Sequence, residues 1–220
     1  MRHEALSDLP KLGHRPYIQG GSIFNEILEH CDRFLGAGWL DGVMVTSFKL
    51  QRESFANGRF IVSDTAIEDA NANATFVARS PALRVFVYYF DEGRATRQEP
   101  YDEESYYRVV QVSPDLAGEF IFPGGRPRAD FMRAVVGANK LLHQKAGRFA
   151  AALTHIQFLY LKALDAVCLL RSAEECRVDI TNMSVQDHPS EVWTINRVAV
   201  RGASYSSDFR ICYRGAKQGS

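Results

Sequence analysis

Two spacings of apolar residues take turns along the chain. From Ser22 to Leu35 they fall at helical intervals: Ile23, Ile27 and Phe34 recur on one side, joined by Phe24, Leu28, Cys31 and Leu35. That predicts a helix with one broad apolar face. Ser22 is placed to cap its first turn, and Gly36-Ala37-Gly38 ends it. The preceding Gly20-Gly21 lets the backbone come close to a ligand or another strand. Strand-like runs follow at Val43–Leu50, at Arg59–Val62 after an Asn57-Gly58 turn, at Ala74–Arg79 and at Leu83–Phe90. In the last of these Leu83, Val85, Val87 and Tyr89 share one face, and Phe86, Tyr88 and Phe90 the other. Residues 1–13 read as an irregular lead-in with an apolar anchor at Leu6, Leu9 and Leu12. Residues 68–73 read as an acidic turn and 91–105 as a polar linker.

The same order returns in the second half. Tyr106–Val112 reads as a strand, and Phe120–Pro127 leads into a helix over Ala129–Gln144 with Phe131, Val135, Ala138, Leu141 and Leu142 on its core side. Gly147 is its expected end. Strands are predicted at Leu153–Leu159, Cys176–Val185, Val192–Val200 and Tyr205–Tyr213, and 159–170 suits either more strand or a turn of helix. Each half therefore holds a Gly-Gly segment, one main helix and several strands. Val43–Phe48 can be set beside Leu153–Phe158, about 110 residues on, too long a period for a solenoid. The expected fold is α+β, as two helix-plus-sheet units over 1–98 and 99–214 with a disordered tail at 215–220.

Composition narrows the function. The chain has 220 residues, enough for one sizeable core or two fused small ones, and 26 basic residues balance 26 acidic ones. Zero formal charge argues against broad electrostatic capture of nucleic acid or of an anionic membrane. Residues 1–16 carry charges and no apolar run, and no stretch is apolar enough to span a bilayer, so a cytoplasmic chain is expected. Cys31, Cys168, Cys176 and Cys212 lack close pair spacing and read as buried thiols. His143, His155 and His188 are scattered, so no metal site is predicted. A Gly-x-Ser-x-Gly elbow, a Gly-x-Gly-x-x-Gly fingerprint and a Walker sequence are all absent.

The repeated order of helix and strands, together with Gly13-His14-Arg15-Pro16 ahead of Gly20-Gly21, resembles the hotdog superfamily in its double form over about residues 14–214. The resemblance implies two central helices, each wrapped by a curved antiparallel sheet. It also implies activity on acyl groups carried by coenzyme A or acyl-carrier protein, as in dehydratases, thioesterases and biosynthetic hotdog proteins. In the dehydratase branch a His in a Gly-His-Phe-Pro-like turn works with an acid on the helix of a neighbouring unit. His14 falls at the first of these positions and Glu26, with Asn25 beside it, at the second. In the second half Ile121 stands at the His position, which implies at most one composite site, and the helix there offers Asp130 and Arg133.

The residues themselves suggest how such chemistry would run. Unpaired N–H groups at a helix start, here Gly21 and Ser22, suit the oxygen of a thioester carbonyl, with Gly20 beside them among the candidate binding residues. His14 suits proton transfer, with Tyr17, Asn25 or Glu26 as partners, and Gln19 suits a hydrogen bond to substrate or water. Asp130 is either a positioning group or a first-turn acid favoured by the helix dipole. Arg126, Arg128 and Arg133 suit carrier phosphates. The expected function is dehydration or hydrolysis of an acyl thioester, with no tightly bound cofactor and coenzyme A or phosphopantetheine as the substrate carrier. A homo-oligomer is left open. The alternative is a non-catalytic acyl-binding or assembly protein with a degenerate site.

Overall fold

A computed structural model describes residues 2–36, 38–68, 71–145 and 153–217, with backbone alone at 153–155. The chain divides into two compact units, Met1–Asp102 and Glu103–Ser220.

In the first unit, strands β1 (Arg2–Leu6) and β2 (Lys11–Leu12) precede helix α1 (Gly20–Leu35). Strands β3 (Met44–Leu50), β4 (Asn57–Ser63), β5 (Ala74–Arg79), β6 (Arg84–Arg94) and β7 (Gln98–Glu99) follow. The sheet order is β1-β4-β6-β5-β3, each neighbouring pair antiparallel, and β2 and β7 form a small parallel pair. The helix lies on this sheet through Phe24. Its ring meets Phe48 of β3 and Phe76 of β5 edge-on, with centroids 5.3 and 5.8 Å away. Farther along, His30 lies against Phe60 of β4, whose ring in turn packs at a tilt against Tyr89 of β6.

The second unit begins with a 3-10 turn at Glu104–Tyr106. Strands β8 (Arg108–Ser113) and β9 (Ala117–Phe122) lead to helix α2 (Arg128–Lys145), and β10 (Leu153–Asp165), the short helix α3 (Val167–Leu170), β11 (Cys176–Asp187), β12 (Glu191–Arg201) and β13 (Ser206–Lys217) complete it. The sheet order is β10-β13-β12-β11-β9-β8, again antiparallel. Phe131 anchors α2 between Phe122 and Phe209, at 6.0 and 6.3 Å.

Several expectations are corrected. The lead-in is not irregular: Arg2–Leu6 is an edge strand paired with β4, and its exposed pattern hid it from any alternation test. Leu9 and Leu12 are buried as the anchor predicted, whereas Leu6 is exposed. Asn57-Gly58 is no turn but opens β4 at a bulge opposite β6. Asn57 is buried there because its side chain accepts from Ser7 Oγ and the Leu9 N–H and donates to the Ala95 carbonyl. Gly58 is needed because a Cβ would collide with the Phe90 carbonyl oxygen. The expected linker is partly strand, since β6 runs to Arg94 and β7 occupies 98–99, and the unit boundary falls after Asp102 rather than after 98. The ambiguous 159–170 stretch splits into strand and then helix. The expected tail is strand as far as Lys217, while 218–220 and the helix end expected at Gly147 lie outside the described residues.

A buried polar chain crosses the second core. His143 Nδ1 is 2.8 Å from the Asn139 carbonyl one helical turn back, so Nδ1 carries the proton. Nε2 must then accept from the Thr194 hydroxyl at 2.7 Å. The Asn139 side chain accepts from Asn196, which accepts from Asn182. Burial holds the His143 imidazole below its ordinary range, against a smaller opposing pull from the Asn139 backbone hydrogen bond.

Two outcomes follow from these cores. Phe24→Ala, which empties the slot between Phe48 and Phe76, should cost about 3–5 kcal/mol in urea denaturation. For His143 the unfolded chain takes up a proton first as pH falls through about 6.5, so this contribution to stability is complete above that value and drains away below it. The urea midpoint should therefore drop between about pH 7.5 and about pH 5.5, and a His143→Gln variant should show a shallower drop. An identical drop in the variant would remove His143 as the cause.

Candidate functional site

The opening of α1 is fixed from both sides. Ahead of it the Gly13 N–H donates to the Glu99 carbonyl at 2.8 Å, which ties the turn at Gly13-His14 to β7. Ile18 then bridges to Ser54, its N–H on the Ser54 carbonyl at 2.7 Å. The helix begins at Gly20, so the capping position falls to Gln19 in extended conformation and not to Ser22, and no side chain caps the turn. The Ser22 and Ile23 N–H groups both donate to the Gln19 carbonyl. Ser22 is thus withdrawn as a backbone donor for a substrate. The N–H groups of Gly20 and Gly21 have no acceptor among the described residues. Gly21 is buried, yet among the described residues nothing beyond its chain neighbours and its own helix backbone stands within 4 Å of where a Cβ would project from it. A partly buried helix start with unpaired donors and adjoining space suits a carbonyl oxygen.

Behind this opening a polar stripe continues along the helix at one-turn intervals: Ser22, Glu26 and His30, with Asn25 beside them. Ser22, Asn25 and His30 are buried, and Glu26 is partly so. His30 Nε2 stands 3.3 Å from Glu26 Oε1, near enough for a hydrogen bond but not aligned as one. Such pairs commonly tighten when substrate arrives. Tyr89 donates to the Ala56 carbonyl at 2.9 Å; burial pushes its phenol up to about 12, the Ser7 hydroxyl opposes this, and the charges of Asp91 and Glu26 add to it. Its role is to hold the interior, not to exchange protons near neutrality. His30 was the omission of the sequence reading. The i, i+4 spacing of Glu26 and His30 was the available signal.

The remaining candidates divide clearly. His14 is exposed on its turn, and Tyr17 is half-buried. In the second unit Asp130 lies in the first turn of α2 between Arg126 and Arg133, at 3.9 and 3.4 Å. Arg126 also donates to the Ser105 carbonyl and lies over the Tyr106 ring. The charge of both arginines is therefore shared with Asp130, while Arg128 opens the helix. Beside Asp130 is a void of about 10 Å³ bordered by Tyr106, Phe122 and Cys176, room for roughly one water. The second glycine pair does a different job from the first. Gly125 N–H donates to the Ala173 carbonyl at 2.7 Å, and a Cβ on Gly124 would stand 2.9 Å from the Glu175 nitrogen. It packs a loop and opens no helix. Two larger clefts, about 370 and 580 Å³, lie on the strand surfaces around Gly118 and around Arg79, and neither touches α1.

No family model matches the chain, and no curated protein matches it. Solved structures do. A conserved protein of unknown function with a hot dog fold from Alicyclobacillus acidocaldarius is similar at TM-score 0.54 and 8% identity, over 100% of this chain and 93% of that one. The dehydratase domain of the polyketide PpsC from Mycobacterium tuberculosis gives 0.53 and 12%, over 100% and 93%. A tesB protein of Mycobacterium avium subs paratuberculosis gives 0.52 and 13%, over 97% and 91%. Likeness at this level of identity carries architecture alone, here a large antiparallel sheet with few helices. The chain has the hotdog fold.

Proposed function

We propose that this chain is a double-hotdog enzyme acting on an acyl thioester carried by coenzyme A or by the phosphopantetheine arm of a carrier protein. The observation that carries the reading is the uncapped, partly buried start of α1, where among the described residues the Gly20 and Gly21 N–H groups lack acceptors and space adjoins Gly21. Two such donors polarise the thioester carbonyl. In elimination this acidifies the α-proton; in hydrolysis it steadies the tetrahedral oxyanion. Glu26 lies five residues on, about 7.5 Å along the axis, within the length of a short acyl group. With His30 against its carboxylate it is the acid–base group of this reading, either removing the α-proton or activating water. His14 is too exposed to carry that role by itself. The likeness to a polyketide dehydratase domain supports elimination as the first reaction to test.

The test is incubation with a panel of acyl-CoA and acyl-carrier-protein thioesters, read by mass spectrometry. Loss of water or release of free acid identifies the reaction, and binding without turnover supports the non-catalytic alternative. No binding by any thioester sinks the proposal. Glu26→Gln should lower turnover by about 10²–10⁴-fold. Gly21→Ala separates stability from function: the methyl has room and removes the flexibility of a helical glycine, so stability should rise by about 0.5–1 kcal/mol. The same methyl stands where the carbonyl would approach, and turnover should fall at least tenfold or so.

A further inference from the structure

Side chains along the strands of the first sheet alternate between its two faces. Phe76 of β5 meets Phe24 of α1, so its cross-strand partner Val87 and the neighbouring pair Ala78 and Val85 share the helix face. Val77, Arg79, Arg84 and Phe86 stand on the other face, where Arg79 lies directly opposite Arg84 and Val77 opposite Phe86. The two arginines border a cleft of about 580 Å³ whose wall includes Val77, Pro81, Ala82 and Leu83. This cleft is remote from the opening of α1. The opening adjoins Ser54, beyond the Leu50 end of β3, whereas Arg79 pairs with Met44 at the other end, seven residues or about 20 Å away.

Like charges directly opposite one another on paired strands repel. Other strand arginines are neutralised: Arg59 lies between Glu4 and Glu92, and Arg177 beside Glu119 and Asp179. Arg79 and Arg84 have no carboxylate partner among the described residues. Their proximity is imposed by the hairpin, whose turn is closed by the Ser80 N–H on the Leu83 carbonyl at 2.7 Å and by the Ala82 N–H on Ser80 Oγ. Arg84 is also steadied over the Phe86 ring, 4.8 Å from its centroid. Two cations fixed side by side at the rim of a partly apolar cleft form a receptor for an anion with an organic body. We infer that this cleft binds a phosphate monoester, at a site separate from the thioester opening and independent of that reading. The double charge of a monoester matches the two guanidiniums, its oxygens accept from both planar forks, and the apolar wall receives the organic group.

Calorimetric titration of the full chain with phenyl phosphate at low salt tests this. Binding is expected, and Arg79→Gln and Arg84→Gln should each weaken it by about tenfold or more. Both variants should melt no lower than the parent, since each relieves a like-charge contact. Ala82→Glu, at an exposed position of the same wall, should also abolish binding by repelling the probe while leaving both arginines in place. Affinity should fall as pH drops through about 6, where the monoester takes up its second proton and the arginines stay charged. Absence of binding overturns the inference, and so does binding that all three variants leave unchanged. An equal affinity for inorganic phosphate overturns the assignment to a monoester. Butyryl-pantetheine, a thioester without phosphate, should not displace the probe; displacement would merge the cleft with the thioester site and overturn its independence.

Discussion

The first unit depends on how a mostly apolar helix carries a polar stripe into a closed interior. Phe24, wedged between Phe48 and Phe76, fixes the rotation of α1 on the sheet. Ser22, Glu26 and His30 share a different line along the helix, on which Ser22 and His30 are buried and Glu26 partly so. The aromatic pair of Phe60 and Tyr89 then forms the wall against which His30 rests. The candidate site therefore takes its positioning from aromatic packing on the same helix.

The two halves share an order of elements but not a use of them. In the first, a glycine pair is the first turn of the helix; in the second, the pair lies before the helix and is held against the backbone of 173–175. One half thus exposes amide donors inward, and the other consumes the same residue type in close packing. The acid in the first turn of α2 is likewise engaged by neighbouring arginines. A repeated sequence pattern does not guarantee a repeated site.

Much of the architecture was legible in the sequence because burial imposes a period. Ala74–Arg79 was read to the residue, both long helices to within two residues, and the later strands by their cores. The failures share a physical origin. Arg2–Leu6 is an edge strand wet on most sides, so it carries no alternation. Asn57-Gly58 has turn composition, but its side-chain and backbone demands are met by a distant segment, Ser7 to Leu9. At the site, Gly20-Gly21 was visible as an unusual opening. Ser22 as the cap was mistaken, since the Gln19 carbonyl takes the first bonds, and His30 was hidden among residues read as helix filler. Spacing shows which residues share a face, whereas partner geometry shows which of their atoms remain available.

The tautomer of His143 has a further meaning. With Nδ1 committed to its own helix and Nε2 to Thr194, the imidazole joins α2 to β12 at one relative height. Asn139 and Asn196 repeat the join one turn away. Sliding the helix by a turn would keep its greasy surface in contact with the sheet and would strand every one of these polar groups. Apolar packing alone tolerates such slippage; the directional chain does not. It acts as an alignment key, converting a surface that could adhere in several positions into one that closes in a single position.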